Sequence, residues 1–104
     1  MENKIQFKKT CRNLNGVLYL QEAEGELINI EGFPSVIEYD DSDPDEIDFS
    51  ITELTTGMLI APFFATREAA IEKATSRLKA NPNFLQKGID ILKAEGIEYP
   101  VNNL

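Results

Sequence analysis

The sequence has 104 residues, of which 42% are hydrophobic and 27% are charged, and its formal net charge is −8. This length suits one domain, so we expect a single domain over residues 1–104. The composition excludes disorder throughout the chain, and the absence of histidine excludes serine–histidine and cysteine–histidine catalysis.

The first third of the chain has the patterns of β-strands. Ile5 and Phe7 alternate with polar neighbours, which indicates a half-buried strand. Asn15-Gly16 predicts a tight hairpin before a strand over residues 17–20, because both residues tolerate a positive φ.

Further strands are predicted up to the middle of the chain. Glu24-Gly25 predicts a break, and residues 26–30 predict the next strand. A short strand is expected over residues 36–39. The aspartate-rich run at residues 40–45 then has the composition of a turn.

The last two strands have clearer signals. Ile47, Phe49 and Ile51 fall on one side of an amphipathic strand. Residues 55–57 predict a turn. Residues 58–64 predict a strand that contains a proline and therefore lies at an edge or carries a bulge. We interpret its closing pair, Phe63-Phe64, as core anchors, with an exposed docking patch as the alternative.

The remaining chain has helical periodicity. Thr66 is the expected N-cap of a helix. One face of this helix is apolar and consists of Ala70, Ile71, Ala74 and Leu78. Asn81-Pro82 ends it and begins a second helix, for which Gly96 is the expected C-terminal cap.

Strands followed by helices predict an α+β fold. We expect a mostly antiparallel sheet of five or six strands in the N-terminal two-thirds, with two C-terminal helices packed on one face.

The charge is concentrated in one part of the chain. Residues 21–65 contain twelve carboxylates and no lysine or arginine, whereas both flanking segments are net positive. Such a segment either solvates the surface or forms an acidic face for a basic partner protein. The candidate interaction surface consists of Glu38, Asp40, Asp41, Asp43, Asp45, Glu46 and Asp48.

Direct nucleic-acid binding is not expected, because phosphates repel an acidic surface. Carboxylates that alternate along a strand could instead copy the charge pattern of a nucleic acid. A nucleic-acid-mimic inhibitor is therefore an alternative to ordinary docking.

The same acidic run has some features of a metal-binding loop. Asp41, Asp43 and Asp45 have the alternation of a calcium loop, but Glu46 and Thr52 stand where that motif requires glycine and glutamate. We therefore interpret the run as a charged hairpin tip and assign no metal, cofactor or catalytic residue. A metal-dependent hydrolase remains a further alternative, since the segment is rich in carboxylates.

Cys11 is the single cysteine, so no disulfide can form within the chain. A free thiol suits a reducing compartment, and neither a signal peptide nor a membrane span is evident. We expect a cytoplasmic protein that does not bind membranes.

Residues 47–78 have a strand–turn–strand–helix order in which Thr66 precedes a helix opening with Glu68 and Ala69 and carrying Ala74 a turn later. This segment resembles the strand–strand–helix part of HicB-type antitoxins. The resemblance implies a local ββα unit, and no whole-chain family match is apparent. It adds an antitoxin-like inhibitor to the alternatives.

The sequence thus predicts a small, acidic, non-enzymatic protein that serves as a protein-interaction or regulatory module. Its expected partner is another protein with a basic surface.

Overall fold

The computed structural model describes residues 4–43 and 45–103, which form five strands and two helices. The strands are β1 (Lys4–Arg12), β2 (Leu18–Ile30), β3 (Phe33–Asp43), β4 (Glu46–Glu53) and β5 (Met58–Phe64), and the helices are α1 (Arg67–Ala80) and α2 (Phe84–Ala94). Each strand pairs antiparallel with the next, in the order β1-β2-β3-β4-β5. The predicted α+β arrangement, an antiparallel sheet followed by two helices, is confirmed.

The sheet buries apolar side chains on both faces. On one face, Ile37 and Ile51 pack against α1, whose Ala70 and Ala74 are fully buried. Small residues at these helix positions let α1 lie close to the sheet. On the other face, a smaller cluster is centred on Val36; its members include Phe7, Leu54, Ile5, Ala23 and Leu27.

This second face is concave because β1 curls round to meet the turn between β4 and β5. The Thr10 N–H donates to the Gly57 carbonyl at 2.8 Å, and the Thr10 hydroxyl donates to the Thr56 carbonyl at 2.8 Å. The C-terminal segment fastens the same edge. Asn102 accepts from the Lys8 N–H at 2.7 Å and donates to the Lys8 and Leu54 carbonyls.

The predicted break at Glu24-Gly25 is wrong, since β2 runs through it without interruption. A Cβ on Gly25 would lie 2.4 Å from Val36 Cγ1 and 2.6 Å from the Ile37 carbonyl oxygen. Glycine is required here because β3 packs tightly against β2. A glycine inside a strand can mark such a close approach as well as a turn, and the local sequence does not distinguish them.

The first hairpin occurs where the sequence predicted it, but its loop is longer than Asn15-Gly16. The loop spans residues 13–17 and is organised by Asn13, whose side-chain oxygen accepts from the backbone N–H groups of Asn15 and Val17. Asparagine commonly builds turns in this way. The turn predicted at residues 40–45 is shorter in the structure than expected, because β3 extends to Asp43.

The predicted start of α1 and the predicted end of α2 are confirmed, whereas α2 begins at Phe84 and not at Pro82. Thr66 Oγ1 accepts from the Ala69 N–H at 3.1 Å at the start of α1. After α2, Gly96 has a φ of 72° and the Ile97 N–H donates to the Leu92 carbonyl at 2.9 Å. This is the Schellman arrangement, in which glycine takes the left-handed position.

Within residues 4–43 and 45–103, neither helix is long and apolar enough to cross a membrane.

Candidate protein-interaction site

All seven sequence-predicted contact residues belong to the β3–β4 hairpin. Asp40 lies directly opposite Asp48, and Glu38 directly opposite Ser50. Opposed residues of antiparallel strands share one face of the sheet. The backbones of Asp43 and Glu46 are also opposed, and Asp45 is an exposed turn residue. The side chains of Asp41, Asp43 and Glu46 lie outside the described part of the structure.

A cleft of about 390 Å³ lies on the concave face beside this hairpin. It exists because β1, curled round by the Thr10 hydrogen bonds, brings Lys9 opposite the β3–β4 hairpin. We call it the acidic cleft and define it by eight lining residues: Lys9, Glu38, Asp40, Asp48, Ser50, Thr52, Leu59 and Phe63. Three carboxylates and one ammonium give these residues a net charge of −2.

Lys9 and Glu38 form an ion pair inside the cleft. Lys9 Nζ lies 3.1 Å from Glu38 Oε2 and 3.4 Å from Glu38 Oε1, and both side chains are more than two-thirds buried. Asp40 and Asp48 are the other two carboxylates that line the cleft. Asp48 is half-buried and Asp40 is exposed, so the negative end of the cleft is also its open end.

Thr52 supplies an unsatisfied polar atom to the cleft. Its side chain is 1% exposed, and its Oγ1 makes no hydrogen bond to any residue that the structure describes. A buried hydroxyl without a partner costs about 1–3 kcal/mol, so its presence calls for an explanation. Thr52 lies opposite Val36 on β3 and Leu59 on β5, which places it toward the inner end of the cleft.

Phe63 stands at the rim of the cleft in a strained conformation. Its side chain is 72% exposed and its φ is 48°, a value that bulky residues seldom adopt. The pairing of β4 with β5 shifts register between Phe49 and Ile51, opposite the segment that carries Phe63. The Phe63 N–H donates to Ser50 Oγ at 3.1 Å, which fixes this bulge against β4. Bulges commonly redirect a side chain in this way.

The interpretation of Phe63 as a core anchor is therefore wrong, whereas Phe64 packs against the helix-facing core. Neighbouring strand residues point to opposite faces, so the pair could not both enter one core. This alternation of side chains between the two faces could have shown, from the sequence, that one of the two phenylalanines lies outside the core. Which of the two faces outward depends on the bulge, and the bulge depends on pairing with β4.

Part of the acidic segment is paired with bases of the same molecule. Among the described residues, Glu24 pairs with Lys4 at 2.9 Å, Glu31 pairs with Lys79 at 3.6 Å, and Glu26 pairs with Arg67. These β2 and β2–β3 carboxylates are thus matched by bases from the two ends of the chain. Three of the hairpin carboxylates, Glu38, Asp40 and Asp48, line the acidic cleft.

Glu53 belongs to the acidic segment but has a structural role. It is fully buried, and its carboxylate accepts from both the N–H and the hydroxyl of Thr55 and of Thr56, over distances of 2.7–3.0 Å. This Glu53 carboxylate organises the turn from β4 into β5. It therefore contributes to the fold and not to the exposed acidic surface.

Two further groups of the described residues are the carboxylates, as possible metal ligands, and the Cys11 thiol. No three histidine, cysteine, aspartate or glutamate side chains among them come together to hold a metal ion. Cys11 is a half-buried free thiol whose Sγ lies 3.5 Å from Gln21 Oε1.

Comparison of the chain with protein-family models, with curated proteins and with solved structures finds no match.

Proposed function

We propose that this protein is a non-catalytic interaction module that binds a basic segment of another protein at the acidic cleft. The observation that carries the proposal is the direct opposition of Asp40 and Asp48 at the open end of the cleft. The lack of histidine and the half-buried lone Cys11 are consistent with a non-enzymatic, cytoplasmic protein.

The distribution of ion pairs supports this location for the site. Bases from the chain ends contact Glu24, Glu26 and Glu31, so that part of the acidic segment is neutralised within the molecule. The acidic cleft keeps a net charge of −2 even with Lys9 included. A surface of this kind attracts a basic partner and raises its association rate more than its affinity.

Salt dependence and charge removal test the proposal together. Oligolysine serves as the probe, and binding is measured by calorimetry and stopped flow between about 0.01 and about 1 M salt, which shortens the screening length from about 30 to about 3 Å. We expect association to slow steeply with salt. We also expect the double variant Asp40→Asn, Asp48→Asn to weaken binding at low salt.

A matched control changes the same net charge elsewhere. Glu72 and Glu98 are exposed and lie outside the acidic cleft. The double variant Glu72→Gln, Glu98→Gln should bind oligolysine nearly as well as the wild type. Equal weakening by both double variants would show that only overall charge matters, and the proposed site would be wrong.

A narrower form of the proposal is an antitoxin-like or nucleic-acid-mimic inhibitor. Asp40 lies opposite Asp48 and two residues from Glu38 on the same face, so three carboxylates are spaced along one face of the hairpin. This form requires that the protein displace duplex DNA from a basic DNA-binding partner. Displacement that persists in the Asp40→Asn, Asp48→Asn variant would contradict it.

A further inference from the structure

We infer that the acidic cleft holds the side chain of an arginine presented by an extended basic segment of the partner. This inference rests on the proposed function and specifies the group that is recognised. It is carried by the Thr52 hydroxyl, which has no partner in residues 4–43 and 45–103, together with the charge and rim of the cleft.

We take the Thr52 hydroxyl as the inner point of contact for a polar occupant of the cleft. It is buried, it lines the cleft, and it lacks a hydrogen-bond partner among the described residues. A threonine hydroxyl can accept a hydrogen bond from a ligand donor. The free protein bears the free-energy cost of an unsatisfied hydroxyl. A ligand that supplies the donor removes this cost, and the gain adds to its affinity.

The charge of the cleft selects a cation. Glu38, Asp40 and Asp48 outnumber Lys9, so an anionic ligand would be repelled and a cationic one attracted. The Glu38 carboxylate has acceptor sites beyond those that Lys9 occupies, since a carboxylate offers about four. Acceptors for several donors therefore lie in one cleft.

The rim of the cleft favours a guanidinium on an aliphatic stem. Phe63 and Leu59 are both exposed apolar side chains at its edge. Arginine stacks on aromatic faces and buries its methylene groups along apolar surface while its planar head makes several hydrogen bonds. A lysine ammonium carries the same charge on a stem of similar length, but it lacks the planar fork of donors.

The length of the cleft suits a side chain that enters from the open end. Asp48, Ser50 and Thr52 all line it at alternate positions of β4, so they span about 13 Å at the usual strand rise. The guanidinium lies at the inner end near Thr52 and Glu38, and the stem passes Leu59 and Phe63. The partner backbone remains outside, beside Asp48.

The experiment compares oligoarginine with oligolysine of equal length by calorimetry, on the wild type and on Thr52→Val. Valine has the shape of threonine without the hydroxyl. We expect oligoarginine to bind the wild type more tightly than oligolysine. Thr52→Val should weaken oligoarginine binding about three- to tenfold, the effect of one hydrogen bond, and change oligolysine binding less.

A stability readout separates this role from a structural one. Because none of the described residues hydrogen-bonds to the hydroxyl, Thr52→Val should unfold at the same temperature as the wild type or higher. Should Thr52→Val fail to fold, Thr52→Ser and Thr52→Ala make the same comparison, because serine keeps the hydroxyl and alanine removes it. Unchanged oligoarginine affinity in the variants without the hydroxyl would overturn the inference.

Phe63 provides a second variant with a matched control. Phe63→Gly should weaken oligoarginine binding at least threefold, since cation–π contacts contribute about 0.5–2 kcal/mol. Leu14→Ala removes a fully exposed apolar side chain that does not line the cleft and should leave binding unchanged. Equal binding by Phe63→Gly and the wild type would contradict the placement of the stem.

The outcomes distinguish this inference from the proposed function. If neither peptide binds the wild type, the proposed function fails. If both peptides bind equally and Thr52→Val has no effect, the proposed function stands and the arginine pocket is wrong. If N-acetylarginine amide alone binds as tightly as oligoarginine, the cleft takes a free small cation and the docked segment is wrong.

Discussion

Asp40 and Asp48 lie directly opposite each other across β3 and β4, and both line the same cleft. Like charges in this position destabilise an antiparallel pair by a few tenths to about 1 kcal/mol. The arrangement concentrates negative potential at the open end of the cleft. A cation bound there gains from both carboxylates at once.

The first prediction concerns Asp48. Replacing it by asparagine removes one charge of the opposed pair, so Asp48→Asn should stabilise the fold by about 0.2–1 kcal/mol at low salt. The gain should shrink at high salt because screening already weakens the repulsion. Urea unfolding at two salt concentrations measures both effects. A variant less stable than the wild type at low salt would show that Asp48 supports the fold.

The second prediction is that replacing Phe63 by glycine stabilises the fold but weakens binding at the cleft. Glycine adopts a φ of 48° without strain, whereas phenylalanine pays about 1–3 kcal/mol for such a conformation. Phe63→Gly should therefore raise the free energy of unfolding by about 1 kcal/mol while it weakens binding at the cleft. Thermal and urea unfolding measure the change. A clear loss of stability would mean that the aromatic ring contributes packing that outweighs its strain.

Glu53 provides a third prediction. Its carboxylate accepts hydrogen bonds from the N–H groups of Thr55 and Thr56 and from the Thr56 hydroxyl. The NH₂ group of a glutamine side chain cannot accept these hydrogen bonds. Glu53→Gln should destabilise the protein by about 1.5–3 kcal/mol, the range for hydrogen bonds to a charged group. Glu98→Gln, at an exposed position, is the control in the same urea experiment. Equal stability of the two variants would contradict the structural role of Glu53.

Gly25 and Gly32 give a fourth prediction by contrast. Gly25→Ala places a methyl group 2.4 Å from Val36 Cγ1 and should cost about 3 kcal/mol or more through overpacking. Gly32 has open space around it but a φ of 85°, so Gly32→Ala should cost only about 1 kcal/mol of backbone strain. Urea unfolding ranks the two. The reverse order would mean that β2 and β3 do not pack as closely as described.

Features encoded within a few residues could be predicted from the sequence. The Thr66 cap and the Gly96 terminus follow from local hydrogen bonding, and the alternation around Phe49 and Ile51 identifies β4. These signals were sufficient for the fold class, because strands that precede helices allow few architectures.

Features that depend on contacts distant in sequence could not be predicted. Gly25 resembles a turn residue until Val36 is placed beside it. Phe63 resembles a core residue until the pairing of β5 with β4 creates a bulge. In both cases tertiary packing decides between two ordinary local interpretations.

The candidate site was partly predictable for the same reason. The hairpin carboxylates stand out because residues 21–65 lack any base. Lys9 and Thr52 were missed as site residues because they join the cleft only when β1 curls round to the β4–β5 turn. No local pattern marks a threonine whose hydroxyl will lack a partner after folding.

The most direct test of the account is an amide chemical-shift map of the protein titrated with oligoarginine at low salt. We expect the largest shifts at Glu38, Asp48, Thr52 and Phe63, and we expect them to disappear at high salt. Shifts that centre on β2 or on the helices, or that persist at high salt, would contradict binding of a basic segment in the acidic cleft.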